Sequence, residues 1–193
     1  MTPSHFIVLD FEATCDDGRP PRPQEIIEFP SVLLDASTLE SVDTFESFVR
    51  PVHHPRLSDF CRSFTGIEQS DVDSAPIFSD VLHRHHAWLR SHGDPNQMAF
   101  ITCGDWDLKR MLPAQCAASV PPLPRVPAPY RTWVNIKHVF AATTGKRGRG
   151  MTSMLKELGL DLHGRHHRGI DDCQNIARIL VALIGLGAVI ERP

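Results

Sequence analysis

No stretch of this 193-residue chain is apolar for long enough to cross a bilayer. The best candidate, Ile179 to Ile190, is too short and is interrupted by glycines. The N-terminus carries no basic region ahead of its short apolar run, so no secretory signal is visible. The five cysteines (Cys15, Cys61, Cys103, Cys116 and Cys173) are odd in number, and no pair has CxxC spacing. That pattern speaks against a disulfide framework and fits reduced thiols in the cytoplasm. A basic surplus is missing too: Lys and Arg total 20 against 23 Asp and Glu, a net charge of −3. Strong nonspecific attraction to nucleic acid is therefore not expected. There is no internal repeat. The only biased segment is Pro121-Pro-Leu-Pro-Arg-Val-Pro-Ala-Pro129, which suits neither regular helix nor central strand and reads as a stiff connection. What is present is a 41% hydrophobic composition on a length suited to one domain, 1–193, with a full core.

Against that background, carboxylates at three separated places stand out. Phe6-Ile-Val-Leu-Asp-Phe-Glu-Ala-Thr14 reads as a strand running to about residue 13. Strand side chains alternate, so Asp10 and Glu12 share a face with Phe6 and Val8. Two carboxylates ending an apolar strand repel each other and are costly to bury unless something compensates them. A divalent cation with oxygen ligands would do so, and magnesium is such a cation. The simpler alternative is that the strand ends there and both groups are solvated. From Ile170 to Ile184, Ile176, Ile179, Leu180 and Leu183 recur at helical spacing, and Asp172 lies one turn before Ile176 on the same stripe. Asp171 points away from that stripe and suits the helix N-terminus, where negative charge is favourable; a capping role for both aspartates stays open. After a short strand, Phe100 to Cys103, a helix is expected from Trp106, with Asp107, Met111, Ala114 and Ala118 on one face and Pro113 kinking or shortening it.

His167 precedes Asp172 by five residues, in the loop entering that helix. Its unperturbed pKa of about 6.5 suits proton transfer near neutral pH. His163 and His166 lie beside it, and a histidine trio also raises zinc, for which a closed His/Cys set would be expected.

At these residues the chain resembles the DEDDh exonucleases, and more closely the ERI-1-like 3′–5′ exoribonucleases, a group that includes the 3′ histone mRNA exonucleases. The resembling segments are Asp10-Phe-Glu-Ala-Thr-Cys15, Glu25-Ile-Ile-Glu-Phe-Pro30, Phe48-Val-Arg-Pro51, Leu57-Ser-Asp-Phe60, Thr65-Gly-Ile67, Trp106-Asp107 and Gly169-Ile-Asp-Asp172 with Asn175-Ile-Ala-Arg178. They span almost the whole chain in order. The resemblance selects His167 with Asp172, and Asp107 over Asp105. It implies an α/β, ribonuclease H-like fold: a mixed five-stranded sheet with helices on both faces. Strands are expected at about 5–13, 25–35, 42–50, 98–103 and 187–191, and helices at about 57–64, 77–92, 106–118, 135–143, 151–158 and 170–184. In the second helix Phe78, Val81, Leu82, His85 and Leu89 form one stripe.

The resemblance further implies hydrolysis at RNA 3′ ends with two Mg2+ or Mn2+ ions held by Asp10, Glu12, Asp107 and Asp172, and with His167 as the base. Glu12 and Ala13 would border the terminal nucleotide. Phe64, Ile67 and Trp106 are candidates to stack on or pack against terminal bases, Trp106 the best placed because it adjoins Asp107; for Phe64 and Ile67 a buried helix end is an equal alternative. Arg165 and Arg168 flank His167 and are candidates for the scissile phosphate. The basic loop Lys146-Arg-Gly-Arg-Gly150 suits backbone phosphates or is merely solvated surface. Rival readings are an exonuclease acting mainly on single-stranded DNA or short oligonucleotides, a catalytically inactive RNA-binding nuclease fold, and a zinc-binding regulator built on His163, His166 and His167.

Overall fold

A computed structural model describes residues 2–123 and 125–193. Pro124, within the proline-rich connection, lies outside the described residues. The strands are β1 (His5–Leu9), β2 (Glu12–Ala13), β3 (Ile26–Asp35), β4 (Ser41–Phe48), β5 (Ala99–Thr102) and β6 (Val134–Asn135). The helices are α1 (Asp59–Thr65), α2 (Gln69–Asp73), α3 (Phe78–Ser91), α4 (Leu112–Ala118), α5 (Ile136–Thr144), α6 (Met151–Glu157) and α7 (Gly169–Gly185).

β3 pairs antiparallel with β1, β2 and β4, while β5 pairs parallel with β1 and with β6. The mixed sheet with helices on both faces is the expected architecture, but among the described residues its strands number six, not five. The single strand expected over 5–13 is interrupted at Asp10 and Phe11, so β1 and β2 follow one another along β3. β6 is a two-residue strand that hydrophobic patterning is too short to reveal. The strand expected at 187–191 does not form. Gly187 takes a positive φ of 96°, and Ala188 N–H closes back on Leu183 O. The chain is thereby used up in ending α7, and Val189 is left 83% exposed.

Strand alternation divides the core. Ile7 and Leu9 of β1, with Phe29 and Leu33 of β3, pack under α3 and α4. Phe6 and Val8, with Val32 and Leu34, pack under α5, α6 and α7. The stripe Phe78, Val81, Leu82, His85 and Leu89 is the buried face of α3. A third, smaller cluster (Ile27, Leu57, Cys61, Ile67 and Val72) closes the end near α1 and α2.

The helix expected from Trp106 instead opens with a π turn over Asp107–Met111, closed by Leu112 N–H on Asp107 O, and α4 follows. Pro113 cannot donate a backbone hydrogen bond, and its ring crowds the carbonyl four residues back, so a wider turn is tolerated there. The extra residue rotates the buried stripe onto Leu108, Met111, Leu112, Gln115 and Cys116 and leaves Ala114 exposed. A uniform helical period had placed Ala114 and Ala118 with Asp107.

Candidate active site

The interruption between β1 and β2 is held by Phe11. Its ring is buried and meets Phe29 edge-on at 4.7 Å, so the chain is anchored into the α3 side of the sheet. Asp10 and Glu12, on either side, therefore emerge on the opposite face, toward α7. With no ladder partner there, Phe11 N–H donates to Asp107 Oδ1 at 2.9 Å. The π turn after β5 thus delivers Asp107 to the strand break. The first turn of α7 brings Asp172 to the same place.

Oxygen atoms of Asp10, Glu12 and Asp172 lie within 4.8 Å of one another. All four carboxylates, with Ala13, Phe64, Trp106, His166 and His167, line one cleft of about 330 Å3. Glu12, Asp107 and Asp172 are buried and Asp10 is half-buried. Burial and mutual repulsion raise the carboxylates of the group. Burial first, then Glu28, Asp172 and Asp107, push Glu12 up to about 9. Burial lifts Asp172 to about 7, opposed by the His167 N–H. Burial lifts Asp107 to about 6, with the Phe11 N–H holding it down. Asp10 is raised well above the carboxylate range by burial and then by Asp107, Glu12 and Asp172. Among the described residues, Asp172 Oδ1 is a buried oxygen with no hydrogen-bond partner. An orphaned oxygen in an all-oxygen donor set fits a hard divalent cation such as Mg2+ or Mn2+.

His167 has a φ of 68°, and its N–H donates to Asp172 Oδ2 at 3.0 Å. Its ring is stacked between Phe64 (3.9 Å) and His166 (3.7 Å). Burial, and then His166, lower its pKa, which favours the neutral imidazole. Trp106 is 38% exposed at the cleft wall. Ile67, expected beside the terminal bases, is fully buried in the small cluster with Ile27 and Val72 and does not line the cleft. Gly66, with a φ of 74°, ends α1 and turns the chain inward just before it. The two arginines expected at a phosphate are engaged elsewhere. The Arg165 guanidinium donates to Ser63 O. Arg168 contacts Glu46 at 2.7 Å, lies 3.6 Å from Glu28 and sits over the Phe48 ring.

Two residues have larger parts than sequence patterning suggested. Glu28 is fully buried, and its carboxylate accepts N–H bonds from Gly169 and Ile170, so it caps α7. A carboxylate inside the apolar run Ile26-Ile-Glu-Phe29 was the available signal. Asp171, expected only to favour the helix N-terminus, accepts from Arg165 N–H at 2.7 Å. A Cβ on Gly164 would fall 2.3 Å from the Asp171 side chain. Asp171 thus pins the loop that carries His166 and His167. His163 stays exposed and outside this group, its N–H donating to Asn175 Oδ1.

The RNase_T exonuclease model matches residues 7–180. The chain is 44% identical over 192 residues to ERI1 exoribonuclease 3 of Homo sapiens, covering 97% of this chain and 56% of that protein. It is 41% identical over 185 residues to human 3′-5′ exoribonuclease 1, covering 93% and 52%. The chain therefore spans about half the length of the curated relatives it matches. Among solved structures, the nuclease domain of 3′hExo, described as a DEDDh family member bound to rAMP, superposes with a TM-score of 0.91 at 39% identity, covering 99% of this chain and 98% of that one. A second, described as 3′-end specific recognition of histone mRNA stem-loop by 3′-exonuclease, gives 0.91 at 38% identity over 96% of this chain and 65% of that one.

Proposed function

The chain belongs to the RNase_T exonuclease family, and from that premise we propose that it is a metal-dependent 3′–5′ exoribonuclease. The observation that carries the proposal is the convergence of Asp10, Glu12, Asp107 and Asp172, from three separated segments of the chain, on one cleft. A binding module would gain nothing from burying four mutually repelling carboxylates, one with an orphaned oxygen. The relatives named as exoribonucleases supply the direction and the substrate class.

In this proposal the four carboxylates hold two Mg2+ or Mn2+ ions, which supply Lewis acidity toward the phosphodiester and ease deprotonation of water. His167, carried as a neutral imidazole on the loop pinned by Asp171, accepts the proton of the attacking water. Phe64 and Trp106 offer ring faces to the 3′-terminal base. Ala13 borders the terminal nucleotide, where a larger side chain would intrude. The bond broken joins the terminal nucleotide's phosphorus to the preceding 3′ oxygen, so a nucleoside 5′-monophosphate departs. The His167 ring must leave its stack on Phe64 for a base to take that face, which couples base seating to release of the histidine.

The test is a 5′-labelled single-stranded RNA, with a matched DNA, incubated with the protein and Mg2+, Mn2+ or EDTA, and with Asp10→Ala alongside. A 3′-shortening ladder on RNA, lost with EDTA and with Asp10→Ala, is expected. An equal ladder on DNA would broaden the substrate class, and no metal-dependent shortening of either would overturn the proposal.

A further inference from the structure

Asp172 belongs to two different donor sets. One is all oxygen: Asp10, Glu12 and Asp172. The other contains nitrogen: atoms of His166, His167 and Asp172 also lie within 4.8 Å of one another, with His166 Nε2 at 4.0 Å from Asp172 Oδ2. The two sets suit different ions. Magnesium and manganese take carboxylate oxygen, whereas zinc takes imidazole nitrogen and binds mixed N/O sets more tightly than manganese does. Three protein ligands with an open fourth position form a familiar zinc arrangement. The Asp172 side chain is 5% exposed, and its Oδ1 is buried and unpartnered, so the shared ligand is aimed at something the described protein atoms do not provide.

We propose that His166, His167 and Asp172 form an inhibitory zinc site that competes with the magnesium-dependent reaction. Inhibition by zinc there rests on the proposed exoribonuclease activity; zinc binding itself does not. Zinc held there would take the imidazole that accepts the proton and one carboxylate of the oxygen set together. The Asp172 carboxylate can bridge, so the competition rests on repulsion between two cations on one shared ligand and on the loss of the His167 imidazole to zinc. The ligand atoms are gathered but not closed. The His166 and His167 rings are stacked with planes 24° apart, and an ion in the plane of both rings requires His166 to swing out. Its side chain is 39% exposed, and the swing gives up its stack on His167. His163 and the cysteines take no part in this set. The site therefore differs from a closed structural zinc centre and predicts reversible loading.

The experiment is a zinc titration of the metal-stripped full chain against a chromophoric chelator, repeated with His166→Ala and Asp10→Ala. Circular dichroism would check that each variant is folded. One zinc per chain is expected in the wild type. His166→Ala should weaken binding by at least the roughly 100-fold that loss of a supporting partner alone reaches at metal sites. Asp10→Ala should bind zinc as well as the wild type or better. Co2+ in place of zinc should give the visible absorption of a low-coordinate nitrogen-bearing site, lost in His166→Ala. In the RNA assay, micromolar zinc should inhibit the wild type, and more zinc should be needed for the same fractional loss in His166→Ala, each measured against its own magnesium rate. Equal zinc affinity in His166→Ala and wild type, or loss of zinc in Asp10→Ala instead, would overturn the site. If RNA shortening itself fails, the chelator titration still decides the zinc site, so the two proposals fail separately.

Discussion

Strand β3 carries a buried polar centre on each face, and the two are opposite in kind. On the α7 face, Glu28 of β3 lies opposite Glu12, at the edge of the carboxylate cleft. On the α3 face, Ser31 meets His85 Nε2 at 2.9 Å, and His85 Nδ1 meets the Tyr130 hydroxyl at 2.8 Å. The second centre is closed: His85 is fully buried, both ring nitrogens have partners, and the proline-rich connection ends in a short turn, Ala128–Arg131, that seats Tyr130 there. The first is open to a cleft, like-charged, and retains an orphaned oxygen. Burial alone does not mark a functional site, since both centres are buried. What separates them is incomplete satisfaction within a like-charged set: His86 Nδ1 on α3 is unpartnered too, but it is not part of a carboxylate cluster.

The comparison is broken most severely by removing a carboxylate. Asp10→Ala should lower the magnesium-dependent shortening rate by about 10³-fold or more, the several kcal/mol that metal-assisted charge stabilisation supplies. The same variant should melt higher than the wild type in EDTA, because it removes repulsion from the empty-handed carboxylate group. A lower melting temperature in EDTA would show that Asp10 is satisfied by the fold itself.

His85→Ala should behave in the reverse way. It leaves the Ser31 and Tyr130 hydroxyls without their partner and opens a cavity, for a loss of about 2–4 kcal/mol in urea unfolding. The rate per folded molecule should be unchanged. A large fall in rate with stability intact would join the two centres functionally.

pH separates them by sign. The native pKa of Glu12 is raised to about 9 and that of Asp172 to about 7, so the folded state without metal holds more protons than the unfolded chain above about pH 4. Their contribution to stability is present in acid and is lost as pH rises through those values. Saturating magnesium should remove that loss, so the gap in melting temperature between magnesium and EDTA should widen from pH 5 to pH 9. His85 is depressed from 6.5 to about 3 by burial. The unfolded chain then binds the extra proton, and stability falls as pH drops from about 6.5 toward 3, with or without metal. A magnesium–EDTA gap independent of pH would contradict the assignment of the raised carboxylates to the metal set.

The smallest expected effect is at the cleft wall. Trp106→Leu should weaken binding of a 3′ end by about 1–2 kcal/mol, as loss of one base stack does, and should appear in KM more than in kcat. An unchanged KM would place the terminal base elsewhere.

Much of the site was legible because periodicity is local. The buried stripe of α7 identifies Asp172, and strand alternation puts Asp10 and Glu12 on one side. The stripe of α3 was complete, including His85, yet nothing in the stripe told that His85 has two hydroxyl partners from distant segments. Asp107 was found, but the helix after it was misplaced by one residue because a π turn has no periodic signature. For Ile67 the choice between the cleft and a buried helix end stayed open, because apolar character near a site does not say which way a chain turns after Gly66. Glu28 and Asp171 were undervalued because their partners, the N–H groups of Gly169 and Arg165, belong to the backbone and carry no side-chain signal.

The amino-acid sequence by itself determined the helices other than α2, the central strands of the mixed sheet, the family, and the identity of the inward carboxylates, since each follows from residue type at short spacing. Tertiary structure alone decided where β1 breaks, which histidines stand beside Asp172, which arginines are already engaged, and which buried polar centre is left incomplete. Those depend on which distant groups meet, and hydrogen bonding and charge act across space without regard to separation along the chain.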